Sequence, residues 1–438
     1  MDCAELSCSS TPAALTAFPE LCYNLMHPDN AAFQGCIPKL KGASFMKTLQ
    51  DILQKDSLMV IGLMSGTSAD GMDAALTEIT GRSTAMQVRQ IAFVSLPYPE
   101  AVRNEILRLA SGKQGGSHDL ALFHFYLGHQ AADACREVCR KAGISLAEVD
   151  LVGSHGQTLW HIPVGEDYLG MKLKATLQLG EPSVIAEALG CPVVSDFRVR
   201  DMAAGGLGAP LVPYTEYLLY RREDRCVGLQ NIGGIGNLTI IPRGADLKDV
   251  SAFNTGPGNM VIDQLTEIVT EGKQHYDADG KLALAGQVSS ALLSWMMEDP
   301  YLSALPPKTT GREAYGDAYI SRFLSTAREM NVSAPDMIAT ATAFTAETIR
   351  YAMDHFCHPR PEELIVGGGG CRNPALMSML RKRLDLPVLR NEDLGYDSDA
   401  KEAVAFAMLA AECIHGVCNN VPAVTGAAHP VVMGKISI

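Results

Sequence analysis

The sequence predicts an α/β protein of two lobes, and three observations predict it. Residues 60–77 (VIGLMSGTSADGMDAALT) read as a strand, a glycine-rich turn and a second strand. Residues 226–241 repeat that plan far downstream, with Asn231-Ile232-Gly233-Gly234-Ile235-Gly236-Asn237 between two apolar runs. The third observation is the apolar run Glu363-Leu364-Ile365-Val366, which empties into four consecutive glycines before a helical pattern at 375–384. Two turn-linked strand pairs, each followed by helical segments, point to a duplicated lobe.

Bulk properties agree. A chain of 438 residues is long enough for two packed lobes. Its 47% hydrophobic and 19% charged content describes a globular protein. A net charge of −13 argues against a nucleic-acid surface, which needs basic patches, but leaves room for a nucleotide in a local pocket. No apolar run approaches the roughly 18 residues that span a bilayer, so no membrane partner is expected. The 12 cysteines are scattered without a Cys-x-x-Cys pair. Free thiols in a reducing, cytoplasmic setting fit them better than disulfides or zinc.

In order, residues 1–56 form an N-terminal extension with no sustained periodicity, expected to be poorly ordered or loosely docked. They lack a basic start and apolar core, and Asp2, Glu5 and Glu20 disfavour a targeting segment. Lobe I is expected at 57–225 and lobe II at 226–438, with the last helix packing back near the cleft. The first turn, Ser65-Gly66-Thr67-Ser68-Ala69-Asp70-Gly71, combines two glycines with three hydroxyls and suits a phosphate cradle. It is not a P-loop, because no Lys-Ser/Thr follows and a strand, not a helix, comes next.

A strand at 86–94 and helices at 99–111 and 117–142 follow from apolar spacing. A short buried strand at 149–153 empties into Ser154-His155-Gly156-Gln157-Thr158. Ligands in open α/β sheets sit beyond the carboxyl ends of strands, which places His155 and Gln157 for a polar ligand. After a helix at 182–189, residues 193–198 read as a strand end, with Arg198 and Arg200 alternating on extended backbone. Such a pair can clamp a carboxylate or phosphate, or simply pair with Asp196 and Asp201. The glycines at 205–208 read as a mobile cover.

In the second lobe, Asn231, Gly233 and Gly234 mirror the first turn. Phe253-Asn254-Thr255-Gly256-Pro257-Gly258-Asn259 ends a strand and opens a helix at 260–270, where free N–H groups make an anion site and Asp263 suits the helix dipole. The loop 307–313 leads through Glu313 into a helix at 315–330, and a longer helix follows at 339–356. Glycines 367–370, among them Gly368 and Gly369, let a ligand lie flat on the backbone, and Asn373 caps the next helix. Asp399 with Glu402 fits a capping box before the helix at 404–414, with Ser398 as the competing cap.

The hairpin at 60–77, the His-Gly-Gln-Thr stretch at 155–158 and the segment 198–210 closely resemble the anhydro-N-acetylmuramic acid kinases of the sugar-kinase, actin and heat-shock ATPase superfamily. The resemblance runs from residue 58 to residue 434. It implies two ribonuclease-H-like lobes (the actin-like ATPase fold) around a central cleft for nucleotide and sugar, with ATP and Mg²⁺ as cofactors and a homodimer. It implies nucleotide contacts at Gly66, Thr67, Ser68, Asp70, Gly71, Asn231, Gly233, Gly234, Gly256, Gly258, Gly368, Gly369 and Asn373. Sugar contacts are implied at His155, Gln157, Arg198, Arg200 and Glu313; no metal ligand is assigned.

The family reaction opens the 1,6-anhydro bridge with water and phosphorylates the 6-oxygen. These kinases carry an Asp as general base where this chain has Asn254. A neutral carboxamide cannot take a full proton at neutral pH, so the chain is expected to bind its substrates and turn them over poorly. Levoglucosan kinases share the overall pattern and are the alternative. Gly205-Gly206 and Trp160-His161-Ile162-Pro163 look more like the muramic-acid enzymes, whose lactyl carboxylate would occupy an arginine. A non-catalytic nucleotide and sugar binder is the other alternative, suggested by Asn254.

Overall fold

The computed structural model describes residues 47–66, 69–112, 115–306 and 308–438; the side chains of Arg312 and Glu313 also lie outside the description. In the first lobe β1 (Ser57–Ser65), β2 (Gly71–Thr80) and β3 (Gln87–Pro97) form an antiparallel meander. β4 (Leu151–Tyr168) joins β1 in parallel and carries β5 (Met171–Leu179) as an antiparallel arm, and β6 (Val193–Ser195) extends the parallel half. In the second lobe β7 (Val227–Ile232), β8 (Ile235–Ile241) and β9 (Ser251–Pro257) form another antiparallel meander. β10 (Glu363–Gly367) and β11 (Val388–Arg390) complete it in parallel.

The spatial orders β3-β2-β1-β4-β6 and β9-β8-β7-β10-β11 are the same topology used twice. This is the pair of ribonuclease-H-like lobes. The carboxyl ends of β6 and β10, where parallel sheets present ligand sites, carry the Arg198 and glycine-run segments, and His155 lies within β4 near the point where its parallel pairing with β1 ends.

The chain does not stay in the second lobe to its end. The helix Lys401–Ile414 (KEAVAFAMLAAECI) lies on β1, β4 and β2 of the first sheet, and β12 (Lys435–Ser437) pairs with β6. The expected boundary of 226–438 for the second lobe is therefore corrected: the last segments belong to the first sheet. Two strand glycines make this possible. A Cβ on Gly62 would collide with the carbonyl oxygen of Ala403, and one on Gly153 with that of Phe406. The helix is buried from Ala403 to Ile414, and one apolar cluster runs through it from Val60 and Leu151 to Val227, Leu229 and Ile365 of the second sheet.

Of the expected extension, residues 47–56 are docked rather than loose. Lys47 and Lys55 both reach Oδ1 of Asp150, at 2.7 and 2.6 Å, and Ile52 in the helix Leu49–Leu53 is fully buried. Residues 1–46 lie outside the described residues.

Candidate functional site: a cleft between two glycine-turn lobes

The first turn is held by the strand beside it. Ser65 Oγ donates to Gln157 Oε1 at 2.6 Å, and Gln157 Nε2 donates to the carbonyl of Gly66 at 3.1 Å. Gln157 is thus engaged with the turn. Tyr98 N donates to the Asp70 carbonyl at 2.9 Å, and a Cβ on Gly71 would press on the Leu96 carbonyl. Thr67 and Ser68 lie outside the described residues. The stretch 154–158 is not a loop after a short strand. It continues β4, because β5 pairs with it from Gln157 onward.

His155 is 3% exposed and lies 4.8 Å from the ring of Phe406. Arg198 points Nε and Nη2 at His155 Nε2, at 3.1 and 2.9 Å, while His155 Nδ1 faces the Gly156 carbonyl at 2.7 Å. Burial and the Arg198 charge push the imidazole down to about 3, so it is neutral with the proton on Nδ1.

Arg198 and Arg200 do not share an extended face. Asp196 takes a left-handed turn (φ 54°) and starts the helix Phe197–Ala203, on which positions two apart diverge. Arg200 is exposed, away from His155. The glycines at 205–208 are pinned rather than mobile. Fully buried Asp201 accepts from Gly208 N, Asn420 Nδ2 and Thr425 Oγ1, and Arg198 Nη1 donates to the Gly208 carbonyl.

The second turn packs against the helix start after β9. Gly258 N and Met260 N donate to the Gly234 carbonyl, at 2.9 and 3.1 Å, and Asn259 N to that of Gly233 at 2.7 Å. Those N–H groups therefore stabilise the turn, which differs from the free anion site expected there. Gly256 (φ 145°) abuts Thr348. The glycine run closes on the same turn: a Cβ on Gly368 (φ 78°) would meet Asn231 Oδ1, and one on Gly370 the Ile232 side chain. Gly369 alone of these three is spacious, with Asn259 Nδ2 at 3.6 Å from a built Cβ. It opens on a cavity of about 510 Å³ lined by Asn259, Asp263, Asp277, Arg372 and Asn373. Asn373 Oδ1 accepts from Ala375 N and Leu376 N, capping the helix Pro374–Arg383.

The two lobes meet around residues 397–402. Arg372, beside the glycine run, pairs with Asp399. Burial raises the Asp73 carboxyl at the base of the first hairpin, and the charges of Asp70, Asp399 and Asp397 add to the rise. The expected capping box is absent: Ala400 is the N-cap, without a side-chain bond. Glu402 instead is exposed to water yet closely surrounded by protein, the position of a residue on a cleft floor. Its carboxyl is held above the usual range by that burial, against the opposing pull of Lys401 and Arg198. Sequence spacing disguised Glu402 as a cap; its neighbours come from β2 and the Arg198 helix.

Asn254 is the middle residue of β9, paired with Asn237 of β8. Its Oδ1 accepts from Asn237 Nδ2 at 3.0 Å, and its Nδ2 donates to the Thr310 carbonyl at 3.3 Å. Its backbone carbonyl accepts from Tyr301 Oη at 2.8 Å. Lys308 braces the facing loop through the carbonyls of Tyr301 and Leu302, under the Phe356 ring; burial brings its amine down to about 8. Among the described residues no hydrogen bond joins Asn254 to His155 or Arg198. The Glu313 side chain lies outside the description.

The sequence pattern of the anhydro-N-acetylmuramic acid kinase family matches residues 58–438. The chain is 47% identical to the anhydro-N-acetylmuramic acid kinase of Caldanaerobacter subterraneus subsp. tengcongensis over 396 residues, 90% of this chain and 100% of that one. It is 42% identical to that of Clostridioides difficile over 380 residues, 86% of this chain and 97% of the relative. With that of Bacillus cereus strain G9842 the figures are 43% over 385 residues, 87% and 99%.

Proposed function

The chain belongs to the anhydro-N-acetylmuramic acid kinase family, and from that premise we propose how its cleft serves a sugar kinase. The observation that carries the reading is the meeting of two glycine turns and a glycine run around residues 397–402. The reaction consumes one water. Water oxygen bonds to the anomeric carbon, the bond from that carbon to O6 breaks, and O6 takes the γ-phosphoryl of ATP. The water proton passes to a base, and ADP leaves.

The nucleoside of ATP belongs in the 510 Å³ cavity beside Gly369, which is roomy enough and polar on its walls. Its phosphates run toward the turns at Gly66–Gly71 and Gly233–Gly234, where Thr67, Ser68 and Asp70 supply polar groups. Gly256 and Gly258 act by letting the second turn close up, and Asn231 and Gly368 by holding the glycine run against it. Among the described residues no three His, Cys, Asp or Glu side chains converge as a metal cage. That donor set suits Mg²⁺ held chiefly by phosphate and water, with a carboxylate such as Asp73 nearby; the ion would neutralise charge on the transferring group.

The sugar belongs near Arg198 and Glu402. Neutral His155 orients the guanidinium, and Gln157 keeps the first turn in register with that site. Arg200 and Glu313 are placed by the family resemblance alone. The family resemblance alone puts Asn254 at the base position, and its carboxamide is satisfied as both donor and acceptor. This supports slow turnover as written, and it is the one observation favouring a second reading, a binder of nucleotide and sugar without catalysis.

A homodimer is supported by exposed apolar residues on the β4–β5 arm (Val164, Leu169, Met171) and on the helix Ser117–Ala142 (Leu122, Phe125). A cytoplasmic setting is supported by the need for ATP and by free thiols at all eight described cysteines. No helix among the described residues is long and apolar enough to cross a membrane.

Mass spectrometry of anhydro-N-acetylmuramic acid incubated with ATP, Mg²⁺ and the protein tests the function. The reading expects a product heavier by one phosphoryl group and one water. A product heavier by the phosphoryl group alone, or no product even with the Asn254→Asp chain, contradicts it.

A further inference from the structure

The cavity beside Gly369 contains a carboxyl that nothing so far uses. Asp263 lies in the first turn of the helix Met260–Val269 and forms part of the cavity wall. Among the described residues no hydrogen bond or ion pair engages its carboxyl, unlike that of Asp277, which accepts from Leu282 N and Ala283 N. The other polar groups facing the space are Asn259 at the start of the same helix, His275, Tyr276 and Asp279 from the Asp277 wall, and Arg372 and Asn373 from the glycine-run wall. Arg372 is engaged with Asp399 and His275 with Glu267. Toward the protein interior the same helix meets Tyr315, through Gln264 Nε2 to its carbonyl at 3.0 Å.

We propose that Asp263 reads the Watson–Crick edge of the nucleobase, its neutral carboxyl donating O–H to ring N1 of adenine and accepting from the 6-amino group. The inference rests on the reading of this cavity as the nucleoside pocket. A carboxylic acid is donor and acceptor at once, whereas a carboxylate only accepts. The ionised form therefore opposes adenine N1, but it matches the paired N1–H and 2-amino donors of guanine. Burial, with the Asp277 charge beside it, raises the Asp263 carboxyl to about 7, so both forms are within reach near neutrality.

Calorimetric affinities for ADP and GDP at pH 6 and pH 8 test this without requiring turnover. Taking their ratio cancels the titration of the phosphates. For a group that titrates near 7, the neutral fraction falls about tenfold across that interval. The ionised fraction, which guanine favours, rises by about the same factor, so the preference for ADP over GDP should fall by up to about a hundredfold in the native chain. Asp263→Asn keeps donor and acceptor together and does not titrate, so it should hold the ratio constant with pH. Asp263→Leu should weaken ADP binding about tenfold at pH 6. A native ratio independent of pH, or a pH shift that persists in Asp263→Asn, overturns the inference. If the native chain binds neither nucleotide, the nucleotide reading of the cleft fails, and the inference fails with it.

Discussion

Arg198 donates to Nε2 of His155 from two nitrogens, at 3.1 and 2.9 Å, and burial of the ring, with that guanidinium charge beside it, keeps the imidazole from taking a proton. The linkage runs in one direction. His155 stays neutral down to about 3 in the folded chain but titrates at its ordinary 6.5 when unfolded. Below pH 6.5 the unfolded chain takes up a proton that the folded one refuses, so stability falls as pH falls. This group contributes about 2 kcal/mol of loss between pH 6.5 and 5. Urea midpoints at those two pH values should show it, and His155→Gln should have a shallower slope. An unchanged slope would mean that His155 takes up a proton in the folded state.

The contact between strand and helix that closes the first lobe can be tested by adding a single methyl group. Gly62→Ala would drive a Cβ into the Ala403 carbonyl and push the helix Lys401–Ile414 off the sheet. The expected cost is about 2 kcal/mol or more, read from urea denaturation. Gly116→Ala, where a built Cβ meets nothing within 4 Å, should lose only the cap preference of the helix Ser117–Ala142, about 1 kcal/mol or less.

Glu402 offers a second carboxylate on the cleft floor, with its pKa raised by burial. If it must be ionised to assist turnover, the rate should decline on acidification at a pH above that of an ordinary glutamate. In the Asn254→Asp background, Glu402→Gln should remove that acid limb and lower kcat by about 10². Binding of ADP should be unaffected. A pH–rate profile that keeps the same acid limb would assign it to another group.

Much of this architecture can be read in the chain because local chemistry and tertiary structure agree. The helix Ser117–Ala142 follows its apolar spacing, and the hairpins at 60–77 and 226–241 follow their glycine turns. The helix Phe197–Ala203 is hidden, since β6 is three residues long and Asp196 reverses the backbone by a left-handed turn that leaves no pattern. The length of β4 does leave a trace in its partner: β5 (MKLKATLQL) alternates apolar and polar residues, although the arm is largely exposed and adds little to the core. The return of Lys401–Ile414 to the first sheet is a non-local fact. Its only trace is a pair of glycines inside strands, Gly62 and Gly153, which mark close approach of another backbone. Glu402 acquires its neighbours only through that return.

The exchange at Asn254 bears most directly on the central claim, that this cleft is a kinase site whose base position holds a carboxamide. The decisive measurement is the initial rate of ADP release with anhydro-N-acetylmuramic acid, compared between the chain as written and Asn254→Asp. Restoring a proton acceptor should raise the rate by about 10²–10⁴. Equal rates, with both substrates shown to bind, would contradict the account.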